Sequence, residues 1–242
     1  MINLNQSQIF YDPFPHIVLQ NVFEEKFYKT LCDEFPQNEK FLSFDHDKEN
    51  NLKQKKFVLN DENKNFNKIL NERANTKKLF NYLNSQIFYE KISKFLKSNY
   101  INIKIQYNKN FLLKIYEKIK NKKNSGFEFS MISTDGGFIK PHTDGPNKIL
   151  NFIIPVVDND MVCNVINSGT KILSTENSQF KYNFFNRTVP YEYTKKIREI
   201  LFKKNQILFF VKTHNSLHSV GPMKNINNNS LMRKSINFSI YQ

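Results

Sequence analysis

In residues 134–155, TDGGFIKPHTDGPNKILNFIIP, His142 and Asp144 stand two positions apart, after a glycine pair and before a strongly apolar run. An imidazole and a carboxylate at that spacing on a strand end point to the same side and can reach one metal ion. Two histidines and one carboxylate, with open positions beside them, form the facial triad of mononuclear iron sites. The stretch supplies two of the three ligands. His214 and His218, in KTHNSLHSVGP, can each supply the third. His218 is preferred, because the extended pair Ser219-Val220 and the turn Gly221-Pro222 follow it. His214 reads as a supporting or surface residue.

Arg233 opens the strand-like run RKSINFSIY. Its planar fork can hold a carboxylate with two parallel hydrogen bonds. Ser235 lies on the same face of that run and adds a hydroxyl donor. Lys224 is the reserve cation. Iron(II) held by two imidazoles and a carboxylate keeps three positions open, and a 2-oxo acid takes two of them through its ketone and adjacent carboxylate. Its far carboxylate then needs a buried cationic anchor, the role expected of Arg233 with Ser235. Oxygen takes the remaining position.

The elements that must position these residues fall into two stretches of a chain of 242 residues, a length that suits one domain spanning 1–242. Residues 1–100 read as a helical support. An opening strand at 15–19 precedes a helix over 22–35, capped by Asn21, with Phe23, Phe27, Leu31 and Phe35 at four-residue spacing and Pro36 as its stop. His16, in that apolar strand, reads as a packed or surface histidine. Residues 37–65 read as polar and irregular, and Asp45-His46-Asp47 within them as a solvated loop without the rigid support that ligands need. Residues 66–100 carry helical periodicity through Phe66, Ile69 and Leu70, then Leu79 and Leu83. A last helix starts at Asn84-Ser85, with Ile87, Phe88, Ile92 and Phe95 on its face.

Residues 101–242 read as the core, with strands expected at 101–105, 111–116, 127–132, 149–157, 162–166, 206–211 and 234–241. The expected fold class is α+β with a mainly β core: a jelly roll with the N-terminal helices packed on its outer sheet. The aromatic segment 183–193, NFFNRTVPYEY, reads as a loop near the mouth of the site, with Arg187 in it.

Composition narrows the setting. Cys32 and Cys163 lie far apart, so no disulfide framework is expected and a reducing compartment fits. No apolar run reaches the roughly 18–20 residues that span a bilayer, and the first residues lack signal-peptide features. The expectation is a cytoplasmic protein with no membrane partner. The net charge of +14 raises nucleic acid as a partner. Lysines scattered among asparagines along the whole chain make a solvated face instead, so no nucleic-acid partner is expected.

The order H-T-D at 142–144, H-S-V at 218–220 and R-K-S at 233–235 resembles the iron(II)/2-oxoglutarate-dependent dioxygenases, and more closely their prolyl-4-hydroxylase-like branch. Residues 12–18 (DPFPHIV), 84–88 (NSQIF) and 148–154 (KILNFII) are similar to the same branch. The resemblance implies a double-stranded β-helix, with Fe(2+), 2-oxoglutarate and O2 as cofactor and co-substrates. It implies hydroxylation of a protein side chain, an amino acid or a sugar-type metabolite, coupled to decarboxylation of 2-oxoglutarate to succinate and CO2. His142, Asp144 and His218 would be the catalytic metal ligands; Arg233, Ser235 and Asn151 would contact the co-substrate. Two other readings use similar residues: a cupin-like isomerase without a 2-oxo acid, and a jelly-roll binding protein without turnover. Arg233 separates them, since only a dicarboxylate needs that anchor.

Overall fold

The computed structural model describes residues 1–37, 40–43, 54–103, 124–157, 164–227 and 231–242. Strands β1 (Ser7–Phe10) and β2 (His16–Gln20) lead into helix α1 (Glu25–Asp33). Short β3 (Leu42–Ser43) and β4 (Lys56–Asn60) precede α2 (Phe66–Asn71), α3 (Ala74–Leu83) and α4 (Gln86–Ser98). Then come β5 (Ser125–Ser133), β6 (Ile139–His142), β7 (Lys148–Pro155), β8 (Val165–Ile166) and β9 (Thr170–Ser174). The chain closes with β10 (Lys195–Ile200), β11 (Gln206–Val211), β12 (His218–Val220), β13 (Lys224–Asn225) and β14 (Met232–Tyr241).

Eight strands form the large sheet in the order β1-β2-β11-β7-β14-β5-β4-β3, and four form the facing sheet, β10-β9-β12-β6. In the middle of both sheets the neighbours are distant in sequence and pair antiparallel, the wiring of a jelly roll. Central strand β14 shows how one sequence builds two environments. Its Ile236, Phe238 and Ile240 are buried against the helices, whereas Arg233, Ser235, Asn237, Ser239 and Tyr241 line an internal cavity. The period-two alternation sends every second side chain to each face.

On the helix side the core is aromatic. Phe88 of α4 packs against Phe152 of β7 and Phe238 of β14, with ring centroids 5.6 and 5.9 Å apart. The expected packing of helices on the outer face of a sheet therefore holds. Ser85 caps α4 as expected, its hydroxyl accepting from the Phe88 amide.

Other expectations need correction. Asn21 caps nothing: its backbone is left-handed at φ 49° and its amide donates to Gln6, so α1 begins only at Glu25. Phe23 and Phe35 are buried, but outside the helix that their spacing suggested. On α4, Ile87 is 70% exposed, and Tyr89 joins Phe88, Ile92 and Leu96 in the core. The polar stretch 37–65 contains β4, which pairs with β5 along its whole length. Residues 101–103 form no strand. The rest of that expected strand, the one at 111–116, Asp45-His46-Asp47 and Cys163 lie outside the described residues. No helix among the described residues is long and apolar enough to cross a membrane.

Candidate metal centre

Strands β6 and β12 lie antiparallel with His142 directly opposite His218, which brings the two rings to a centroid separation of 4.3 Å. Each ring is oriented by the same local device. His142 Nδ1 meets the Lys140 carbonyl at 2.9 Å, and His218 Nδ1 meets the Ser216 carbonyl at 3.0 Å, two residues upstream in both cases. A carbonyl can only accept, so Nδ1 carries a hydrogen in both rings and Nε2 is the nitrogen left for a metal.

The two Nε2 atoms converge on Asp144. Past the end of β6 the backbone at Asp144 is left-handed, with φ 71°, a conformation that aspartate tolerates better than most residues. The turn returns the carboxylate to the rings: Oδ1 lies 3.6 Å from His142 Nε2 and Oδ2 lies 3.5 Å from His218 Nε2. The ligand atoms of the three side chains all fall within 4.8 Å of one another.

The charges around this cluster are set by its neighbours. Burial alone would raise the Asp144 carboxyl, but the Lys148 ammonium at 3.0 Å holds it well below the usual carboxylate range. Burial, reinforced by His142 and opposed by Asp144, pushes His218 down to about 4, so it is neutral at physiological pH. Asn151 on β7 donates to Asp144 Oδ2 at 2.7 Å and accepts from Ser239 on β14. Asn151 was expected to touch the co-substrate; it lines the cavity, and one hydrogen of its amide orients the carboxylate.

Deeper in the same cavity lies Arg233, only 3% exposed. Its Nε donates to the Ser168 carbonyl at 2.8 Å and its guanidinium stacks 3.8 Å over the Phe202 ring. Thr170 stands at 3.4 Å. Burial pushes Arg233 down to about 9, which leaves it charged at neutral pH. No carboxylate pairs with it among the described residues. Ser235, also buried, follows Arg233 on the same face.

The remaining candidates fall elsewhere. His214 is exposed and stacks on Tyr182 at 4.9 Å. Lys224 is exposed on β13 and does not line the cavity. His16 is fully buried between Phe10 and Phe14 and belongs to no metal-ligand cluster among the described residues. The 183–193 segment does border the cavity, through Asn186 and Thr188. Sequence reading missed Lys148 and Thr170. The first stands four residues after Asp144, a spacing that is informative only once the intervening turn is known.

No protein-family model and no curated protein matches this chain. Solved structures do. The chain is similar to a prolyl 4-hydroxylase from Phytophthora capsici, at 13% identity and a TM-score of 0.53 over 93% of its own length. It spans 58% of the length of that protein. A Pseudomonas putida prolyl-4-hydroxylase matches at 7% identity and a TM-score of 0.45, covering 94% of this chain and 92% of that one. A Trichoplax adhaerens prolyl hydroxylase matches at 10% and 0.46, with 93% and 83% covered. The fold is thus the jelly roll of the prolyl 4-hydroxylases.

Proposed function

We propose that this chain is an iron(II)- and 2-oxoglutarate-dependent hydroxylase, with residues 1–242 forming one oxygenase unit. The observation that carries the reading is Arg233. A guanidinium buried without a carboxylate costs several kcal/mol by order of magnitude, and proteins keep such a group where an anion completes it. Arg233 shares a cavity with a His-Asp-His cluster whose donors suit iron(II). A dicarboxylic 2-oxo acid satisfies both ends at once. A cupin-like isomerase, or a jelly roll that only binds, gives Arg233 no partner.

In this reading His142, Asp144 and His218 hold the metal, and Arg233, Thr170 and Ser235 receive the far carboxylate of 2-oxoglutarate. Bound iron(II) supplies oxygen activation: 2-oxoglutarate leaves as succinate and CO2, and one oxygen atom enters the substrate. The protein's own contribution is orientation. Carbonyl-locked imidazoles keep their lone pairs inward, Asn151 and Lys148 fix the carboxylate, and the sandwich of sheets limits water around Arg233. The cavity, about 920 Å³, has room for the co-substrate and for part of a substrate such as a protein side chain, an amino acid or a sugar-type metabolite.

Anaerobic titration of the protein with iron(II) and 2-oxoglutarate tests the reading. The chelate gives a visible charge-transfer band in the wild type and none in His142→Ala. Absence of the band in the wild type, or its persistence in the variant, overturns the proposal.

A further inference from the structure

Between β9 and β10 the chain builds a lobe whose Val189 and Phe180 pack with Leu173 of β9 and Leu217, just ahead of β12. The lobe is fastened to the strand that carries the metal motif. Thr143 donates its hydroxyl to the Asn183 carbonyl, and the Val189 amide donates to Pro141 O at 2.9 Å. Asn183 is fully buried; its side chain donates to the Arg187 carbonyl and accepts from the Arg187 amide at 2.8 Å. Residues 184–188 therefore project as a pinned turn beside the cavity mouth.

What the turn displays is aromatic. Phe185 is 78% exposed and Phe184 48%, packed edge to face at 5.4 Å. Tyr182, Tyr191 and Tyr193 are exposed on the same lobe. Exposed rings in such a concentration mark an interaction surface, since leaving apolar area in water costs roughly 25 cal/mol per Å². The surrounding charge is cationic: Lys181 and Arg187 are exposed, and Lys212 sits 5.0 Å from the Phe184 ring. Residues 177–191 contain no carboxylate, although Glu176 and Glu192 bracket them.

An anionic partner follows from that charge, and the ring geometry says which kind. Single-stranded nucleic acid binds by stacking bases on free aromatic faces. Here a face of Tyr182 is taken by His214, one of Tyr193 by Phe180, and one of Phe184 by Lys212. The tip that remains is two phenyl groups without polar handles, with phenols and cations behind them. That layering matches a lipid interface, where apolar rings enter the acyl boundary, tyrosines sit at headgroup level and Lys and Arg meet phosphate.

We propose that the 182–193 lobe is a docking surface for an anionic lipid bilayer, with Phe184 and Phe185 inserted and Lys181 and Arg187 on headgroup phosphates. Docking there presents the cavity mouth to the membrane face. The contact is peripheral and needs no spanning segment, and it departs from the sequence expectation of no membrane partner. It stands independently of the oxygenase reading.

The chain has no tryptophan, so Phe185→Trp creates a single reporter at the tip. With vesicles of phosphatidylcholine and phosphatidylglycerol, its emission should shift to the blue and be quenched by brominated acyl chains. In co-sedimentation the wild type should bind these vesicles, and Phe184→Ser combined with Phe185→Ser should weaken binding at least about tenfold. Lys181→Gln should weaken it about fivefold, an effect erased by high salt. Both phenylalanines are solvent-exposed, so unchanged melting of the double variant excludes unfolding as the cause. The proposal is overturned if the wild type ignores the vesicles, if the double variant binds like the wild type, or if the wild type binds only single-stranded oligonucleotide or polyglutamate.

Discussion

Three histidines use one local device in two regions. His142, His218 and His16 each direct Nδ1 at the carbonyl two residues upstream, at 2.9, 3.0 and 2.9 Å. In the metal cluster the freed Nε2 atoms converge on Asp144. In the other region His16 Nε2 finds no partner among the described residues, enclosed by Phe10 and Phe14 with Arg198 stacked on Phe10 at 3.8 Å. Burial lowers the pKa in both places, and strongly in His218. The difference is the carboxylate and the cavity. Orienting a ring costs little and recurs at strand ends; bringing three donors to one point requires two strands in register and a left-handed turn.

Removing the convergence should give the largest effect. Asp144→Ala or His218→Ala should weaken iron(II) binding by more than about 100-fold, beyond what loss of a supporting residue produces. His16→Ala should leave iron(II) binding unchanged while lowering stability. Equal effects at His16 and His218 in isothermal titration would erase the distinction between the regions.

Arg233 sharpens the contrast through opposite signs. Arg233→Met should cost about 2–5 kcal/mol of 2-oxoglutarate affinity, as loss of one partner of a buried charge pair does. The same change should stabilise the ligand-free protein by about 1–4 kcal/mol, because an uncompensated buried charge is replaced by packing. A variant both weaker in binding and less stable would mean that the guanidinium is a structural brace. Smaller again is Asn151→Ala, expected to lower iron(II) affinity about 10–100-fold through a misoriented Asp144, with 2-oxoglutarate affinity of the metal-free protein unchanged.

What the sequence disclosed follows the same division. Strands 206–211 and 127–132, the cap Ser85 and the apolar face of β14 were legible because their physics is local: alternation, a hydroxyl at a helix start, a run of branched residues. The placement of His142, Asp144, His218 and Arg233 around one cavity came from motif order and a jelly-roll expectation. The contact of Asn151 with Asp144 was not legible, because only the register with Ser239 shows which way its amide oxygen is used. Strand β4 was missed since KFVLN sits among charged residues and acquires its strand character from pairing with β5. Asn21 was misread for a related reason. Its left-handed backbone is set by contacts around Gln6 and Asn205, which no window around residue 21 contains.

The smallest effect concerns acid. Burial first, then Arg198, lowers the His16 pKa, while the Phe14 carbonyl and Asp12 oppose the shift. The unfolded chain, with a histidine pKa near 6.5, therefore takes up a proton before the folded one does. Stability contributed by neutral His16 is complete above about pH 6.5 and is lost as pH falls toward the lower folded value. His16→Phe removes this loss, so the stability it gains over the wild type should be larger below about pH 6 than at pH 8, where only the pH-independent change in packing and hydrogen bonding remains. Urea unfolding at the two pH values measures the difference. His218 imposes a loss of the same sign, extending down to about 4, which the His16 variant keeps. A variant as acid-sensitive as the wild type between pH 6.5 and 5, by order of magnitude, would assign the whole proton uptake to the metal cluster and leave His16 as a packing residue without electrostatic consequence.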